Sequence, residues 1–130
     1  MLSNADIEKI IKDNSHNYID IYNGHTWLMH IEWDNEKNTI TSEFKSDPHI
    51  KIPLSLYPDR ITWNNLMDWF ETRTFPRTRI GVEELLRFYN LKEYNAYAIC
   101  KQTHALSMSD YIWVRFNGED IRYDDIKIRE

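Results

Sequence analysis

The chain has 130 residues, a single cysteine and a formal net charge of −5 at neutral pH, a length that suits one domain. At 42% hydrophobic and 14% aromatic residues it can bury roughly two-thirds of its unfolded surface without staples. The charge argues against direct nucleic-acid binding, which draws its affinity from neutralised phosphates, and no apolar run approaches the roughly 20 residues of a membrane span.

From the N-terminus, Ile7, Ile10 and Ile11 fall at helical spacing within residues 4–14. Ser3 or Asn4 can cap that helix, with Asp6 and Glu8 favourable against its dipole. The period then changes to two. Tyr18–Tyr22 reads as a strand, Asn23-Gly24 as a type I′ hairpin turn and His25–Asp34 as the returning strand. In that strand Trp27, Met29, Ile31 and Trp33 are expected to face the core, with Leu28, His30 and Glu32 on the other side. A polar turn over 34–38 leads to a third strand at Thr39–Phe44. Pro48, Pro53 and Pro58 then punctuate an extended segment.

Trp63, Leu66, Met67 and Phe70 occupy one helical face, and Pro76 ends that region. Val82, Leu85, Leu86 and Tyr89 repeat the spacing and predict a second buried face, with Gly81 relieving crowding beside it. A further helix covers Asn95–Thr103, and Tyr111–Phe116 returns to strand. Asn117-Gly118 turns, and 121–128 adds a short strand or loop. The fold class is α+β: a small antiparallel sheet against three or four helices. One domain over 1–130 comprises a helix and meander (1–53), a helical segment (54–105) and a returning strand with an acidic tail (106–130).

Candidate chemistry is sparse. Cys100 and His104 share a helical face at i, i+4, but a nucleophilic dyad also needs an orienting group and an oxyanion site, which nothing marks; a half-buried thiol and a surface or capping histidine are expected instead. His16, His25, His30, His49 and His104 fit no metal-ligand spacing. Neither a catalytic set, a metal nor a cofactor is expected. Arg73, Arg77 and Arg79 gather around Pro76 and can grip an anion bidentately; pairing with Glu71, Glu83 and Glu84 is the favoured alternative. Glu119, Asp120, Asp124 and Asp125 form an acidic patch, either plain solvated charge or a contact for a basic partner. With one cysteine and no secretory signal, a cytoplasmic location is expected.

The run Leu66–Gly81 resembles a segment in the N-terminal region of HipA-like kinases of Firmicutes, where a tryptophan-containing helix enters an Arg-x-x-Pro-x-x-Arg-x-Gly turn. The matching residues are Trp69, Arg73, Pro76, Arg79 and Gly81. Leu106–Trp113 looks like that family's "LSLSDQYW" stretch and Ile121–Ile126 like its "LKWEDIN" stretch; a looser likeness extends from Leu28 to Asp34 and Pro53. The resemblance covers roughly residues 27–128 and implies a leader unit without the kinase's nucleotide-binding Lys, catalytic Asp or metal-binding Asp. It implies a non-enzymatic protein-binding module that regulates or inhibits a partner, such as a HipA-like kinase, in a toxin–antitoxin or mobile-element setting. The alternative is a phage anti-defence protein, for example an anti-CRISPR inhibitor that meets a host effector through its acidic surface.

Overall fold

The computed structural model describes residues 1–13, 17–34, 39–44, 61–108 and 110–126. The turn at 35–38 and the segment holding Pro48, Pro53 and Pro58 lie outside the described residues. The elements in chain order are α1 (Asn4–Asp13), β1 (Asn17–Asn23), β2 (Thr26–Asp34), β3 (Thr39–Phe44), α2 (Trp63–Thr72), α3 (Val82–Phe88), α4 (Ala96–Thr103), β4 (Ile112–Phe116) and α5 (Tyr123–Ile126). The architecture is α+β. Four antiparallel strands run in the order β3-β2-β1-β4, so the returning strand joins the free side of the first.

Ser3 supplies the first cap. Its Oγ accepts from the Asp6 amide at 3.2 Å, and the Asp6 carboxylate accepts from the Ser3 amide at 2.9 Å, a reciprocal capping box. The Ser3 amide, then the Ser3 hydroxyl, hold the Asp6 carboxyl below its usual range. Buried Asn17 ties α1 to β1 by donating from Nδ2 to the Ile11 carbonyl at 3.1 Å.

Alternation places Ile19 and Ile21 of β1, Met29, Ile31 and Trp33 of β2, and Val114 and Phe116 of β4 on the core face. They meet Ile7 and Ile11 of α1, Leu66, Trp69 and Phe70 of α2, and Tyr97, Ile99 and Cys100 of α4. Phe70 is central: the rings of Tyr97 and Phe116 each lie 5.9 Å from it. Fully burying a side chain of this size stabilises the fold by about 2–3 kcal/mol. Trp69 joins this face as well as the expected Leu66 and Phe70, while Met67 is only partly buried.

Strict alternation fails at one point in β2. The register shifts at Ile21/Tyr22, where Ile21 pairs with Met29 but Tyr22 pairs with Trp27. Leu28 is the extra residue, and it is buried, whereas Trp27 is half-buried on the other face. A bulge inserts one residue and so reverses every side chain beyond it; this corrects the expected core positions of Trp27 and Leu28. The adjoining turn is corrected too. Asn23 pairs with Thr26, leaving Gly24-His25 as the loop, so His25 lies outside the strand. Gly24 alone in this turn has positive φ (58°), one fewer than a type I′ turn requires.

Thr62 caps α2 by accepting from the Asn65 amide at 3.1 Å, and the helix ends at Arg73, ahead of Pro76. Helix α3 departs most from expectation. None of its residues is buried, and Val82, Leu85, Leu86 and Tyr89 are only half-covered. Gly81 caps it at φ +81°, and a Cβ there would meet nothing within 4 Å. The glycine serves a left-handed backbone, not a crowded contact. Of the terminal strand or loop expected over 121–128, residues 127–128 lie outside the described residues, and the described part forms α5 at Tyr123–Ile126, closed by the Asp125 carboxylate accepting from the Arg122 amide at 2.9 Å. Among the described residues no helix is long and apolar enough to cross a membrane.

Candidate functional site

The arginines around Pro76 do not converge. Arg73, with a side chain only 9% exposed, makes two bonds to Asp110: Nη1 to Oδ2 at 2.6 Å and Nη2 to Oδ1 at 2.8 Å. Its Nε donates to the Ala105 carbonyl and Nη2 to that of Ile112, both at 3.0 Å. The expected partners Glu71, Glu83 and Glu84 are not those of Arg73, because its guanidinium turns inward from the C-cap of α2 toward the start of β4. Arg77 does pair with Glu71 and lies over the Tyr94 ring at 4.8 Å. Arg79 is exposed. A fork already filled by one carboxylate and two carbonyls has little capacity left for an anion.

The four predicted acids also separate. Asp110 and Glu119 are drawn to the outer edge of β4. There the Ile112 amide donates to Asp110 Oδ1 at 3.0 Å, the Val114 amide to the His104 carbonyl at 2.8 Å, and the Phe116 amide to Glu119 Oε1 at 2.9 Å. Every second amide of the strand is thereby occupied, which closes this edge to pairing with another chain. Asp124 lies 3.5 Å from His25 Nε2, and Asp125 caps α5. Asp120 is exposed.

Cys100 and His104 do not form a dyad. The thiol is fully buried and donates to the Phe70 carbonyl at 3.4 Å, and burial pushes its pKa up to about 12. His104 ends α4 in the left-handed region at φ 58°, with Nε2 3.4 Å from Glu119 Oε2. Nucleophilic thiol chemistry needs an accessible thiolate, and this environment opposes both conditions.

The sequence reading overlooked a cluster on the sheet face opposite the core. His30 stands between two carboxylates, with Nδ1 2.9 Å from Asp20 Oδ1 and Nε2 2.9 Å from Glu32 Oε1. Trp27 Nε1 donates to the same Asp20 oxygen at 3.1 Å. Burial lowers the His30 pKa, but the hydrogen bonds that its ring donates to Glu32 and Asp20 outweigh it and the net shift is upward. Beside this group Tyr22 stacks on Trp113 at 4.8 Å, and the Arg115 guanidinium lies 5.0 Å from the Tyr22 ring. The signal was partly present, since His30 and Glu32 sit two apart on a strand and share a face; Asp20 joins them only once the hairpin register is known. Because each ring nitrogen faces a different carboxylate, the group does not converge on a cation. Among the described residues, no set of three or more His, Cys, Asp or Glu side chains could hold a metal ion.

The most accessible apolar residues lie elsewhere, around α3. Ile80, just before α3, is 98% exposed and Phe88, its last residue, is 79% exposed, while Leu86 packs partly buried against the core. Comparison with protein-family models, curated proteins and solved structures found no match for this chain.

Proposed function

We propose that this chain is a non-enzymatic protein-binding module that regulates or inhibits a partner protein, and that α3 with its flanks contributes the contact. The observation that carries this reading is the exposure of Ile80 and Phe88 beside a half-covered apolar face. The internal use of Arg73, Cys100 and His104 adds support, since these are residues from which a catalytic or anion site would have been built. A HipA-like kinase is the partner proposed, on the resemblance of residues 66–81, 106–113 and 121–126 to the leader region of such enzymes.

Co-expression with a HipA-like kinase, followed by size-exclusion chromatography and a kinase assay, tests the proposal. A stable complex with altered kinase activity is expected. Ile80→Asp and Phe88→Asp are expected to leave the thermal midpoint near that of the parent protein, because both side chains are solvated, and to weaken the complex at least about tenfold, or about 1.4 kcal/mol. Absence of both a complex and an effect on activity rejects the kinase as partner. Full affinity in both variants rejects α3 as the contact.

A further inference from the structure

We propose that Asp20, His30 and Glu32 form a protonation-dependent clamp on the outer sheet face, closed while both ring nitrogens of His30 carry protons and released when one proton is lost. The inference starts from hydrogen-bond inventory. A neutral imidazole has one N–H donor and one lone pair, whereas an imidazolium has two donors. With carboxylate oxygens 2.9 Å from Nδ1 and 2.9 Å from Nε2, only the imidazolium satisfies both contacts. Loss of either proton leaves a ring lone pair facing a carboxylate oxygen.

The clamp bridges two strands. Asp20 of β1 is paired in register with His30 of β2, and Glu32 lies two residues further along β2. The groups around it make the positive charge useful. Trp27 Nε1 holds Asp20 from β2, and the Tyr18 ring lies 5.3 Å from the imidazole. From the neighbouring strands, Arg115 of β4 is opposite Asp20 and Glu43 of β3 is opposite His30 in register. Asp20 and Glu32 thus bring two acids to opposite sides of the ring, so removing the imidazolium charge leaves them with less compensation. The clamp therefore closes in mildly acidic solution and opens on the alkaline side.

The direction for stability follows from linkage. Folding raises the His30 pKa above the ordinary 6.5, so the stabilisation is fully present below that value and is lost as pH rises through the folded-state pKa. Two measurements on the whole chain test this. NMR titration of the His30 ring is expected to give a midpoint above 6.5, moved down in both Asp20→Asn and Glu32→Gln. Urea unfolding between pH 5.5 and 8.5 is expected to show stability falling with pH in the parent protein and a flatter profile in His30→Gln, which keeps the His25–Asp124 and His104–Glu119 contacts as an internal control. If His30→Gln does not fold, the NMR arm alone decides. A His30 midpoint at or below 6.5, or one that neither carboxylate variant moves, overturns the clamp, as do parallel stability profiles for the parent and His30→Gln.

Discussion

At the scale of single residues, Arg73 does the most to join separate parts of the chain. It leaves the C-cap of α2, forks onto Asp110, and also bonds the carbonyls of Ala105 and Ile112. Its guanidinium sits 5.8 Å from the Trp69 ring as well. A lysine carries the same charge but cannot present two parallel N–H donors to a carboxylate and a third to a carbonyl behind it. Arg73→Lys is therefore expected to destabilise the protein by on the order of 2 kcal/mol, and Arg73→Ala by about 3 kcal/mol, since hydrogen bonds to charged groups contribute about 1.5–3 kcal/mol. Asp110 is 36% exposed, so water softens the loss of its partner. Chemical denaturation of the two variants checks the order; a lysine variant as stable as the parent would show that the fork contributes only charge. The identity of Arg73 as a special residue was legible beside Pro76, but its partner was not. Asp110 lies 37 positions away, and local spacing favoured nearby acids.

At the scale of elements, the turns show how one residue type carries different constraints. The Asn117-Gly118 turn has both φ angles positive, 49° and 71°, and closes with the Glu119 amide donating to the Phe116 carbonyl at 3.1 Å. Asn117 also locks onto β1: its amide donates to the Tyr18 carbonyl at 2.8 Å, and its Oδ1 accepts from the Tyr18 amide at 2.9 Å. A Cβ on Gly118 would collide with the Tyr18 hydroxyl, whereas one on Gly24 would meet nothing within 4 Å. Both positions have a backbone that disfavours alanine by about 1 kcal/mol. Gly118→Ala should therefore lower stability by more than Gly24→Ala, by about 2 against about 1 kcal/mol, because it adds a displaced tyrosine to the backbone strain. Equal losses in thermal denaturation would mean that Tyr18 moves aside freely. The sequence pattern marked both Asn-Gly pairs as turns and expected the type I′ geometry at Asn23-Gly24, but two positive φ angles occur at Asn117-Gly118. At Asn23-Gly24 the strand register shifts the loop to Gly24-His25, a property of the paired strands and not of the dipeptide.

At the scale of the whole molecule, the layered α+β plan was legible because its evidence is local. Period-two segments became β1 to β4, and the spacing of Leu66 and Phe70 marked a face that does reach the core. What could not be read was how the layers are closed. The pairing of β4 with β1, the bond from the Val114 amide to the His104 carbonyl at its far edge, and the half-covered setting of α3 are not revealed by the local spacing of apolar residues. Cys100 offers a direct probe of that closure, because its thiol lies between α4 and the Phe70 carbonyl of α2 with no exposed surface. Burial keeps it protonated, with its pKa raised from 9.0 to about 12, so a thiol reagent at pH 8 finds neither access nor thiolate until α2 and α4 separate. Labelling of the native protein by a chromogenic disulfide reagent is expected to be slow and to accelerate with urea, reaching the free-thiol rate only in the unfolded chain. The same shift fixes an alkaline limit. Above pH 9 the unfolded thiol ionises while the folded one does not, so stability falls as pH rises from 9 toward 12, and replacing Cys100 with alanine removes that part of the slope. Native labelling at the free-thiol rate would mean that the α2–α4 interface opens readily, and the helical layer would then have to be regarded as a mobile cover over the sheet.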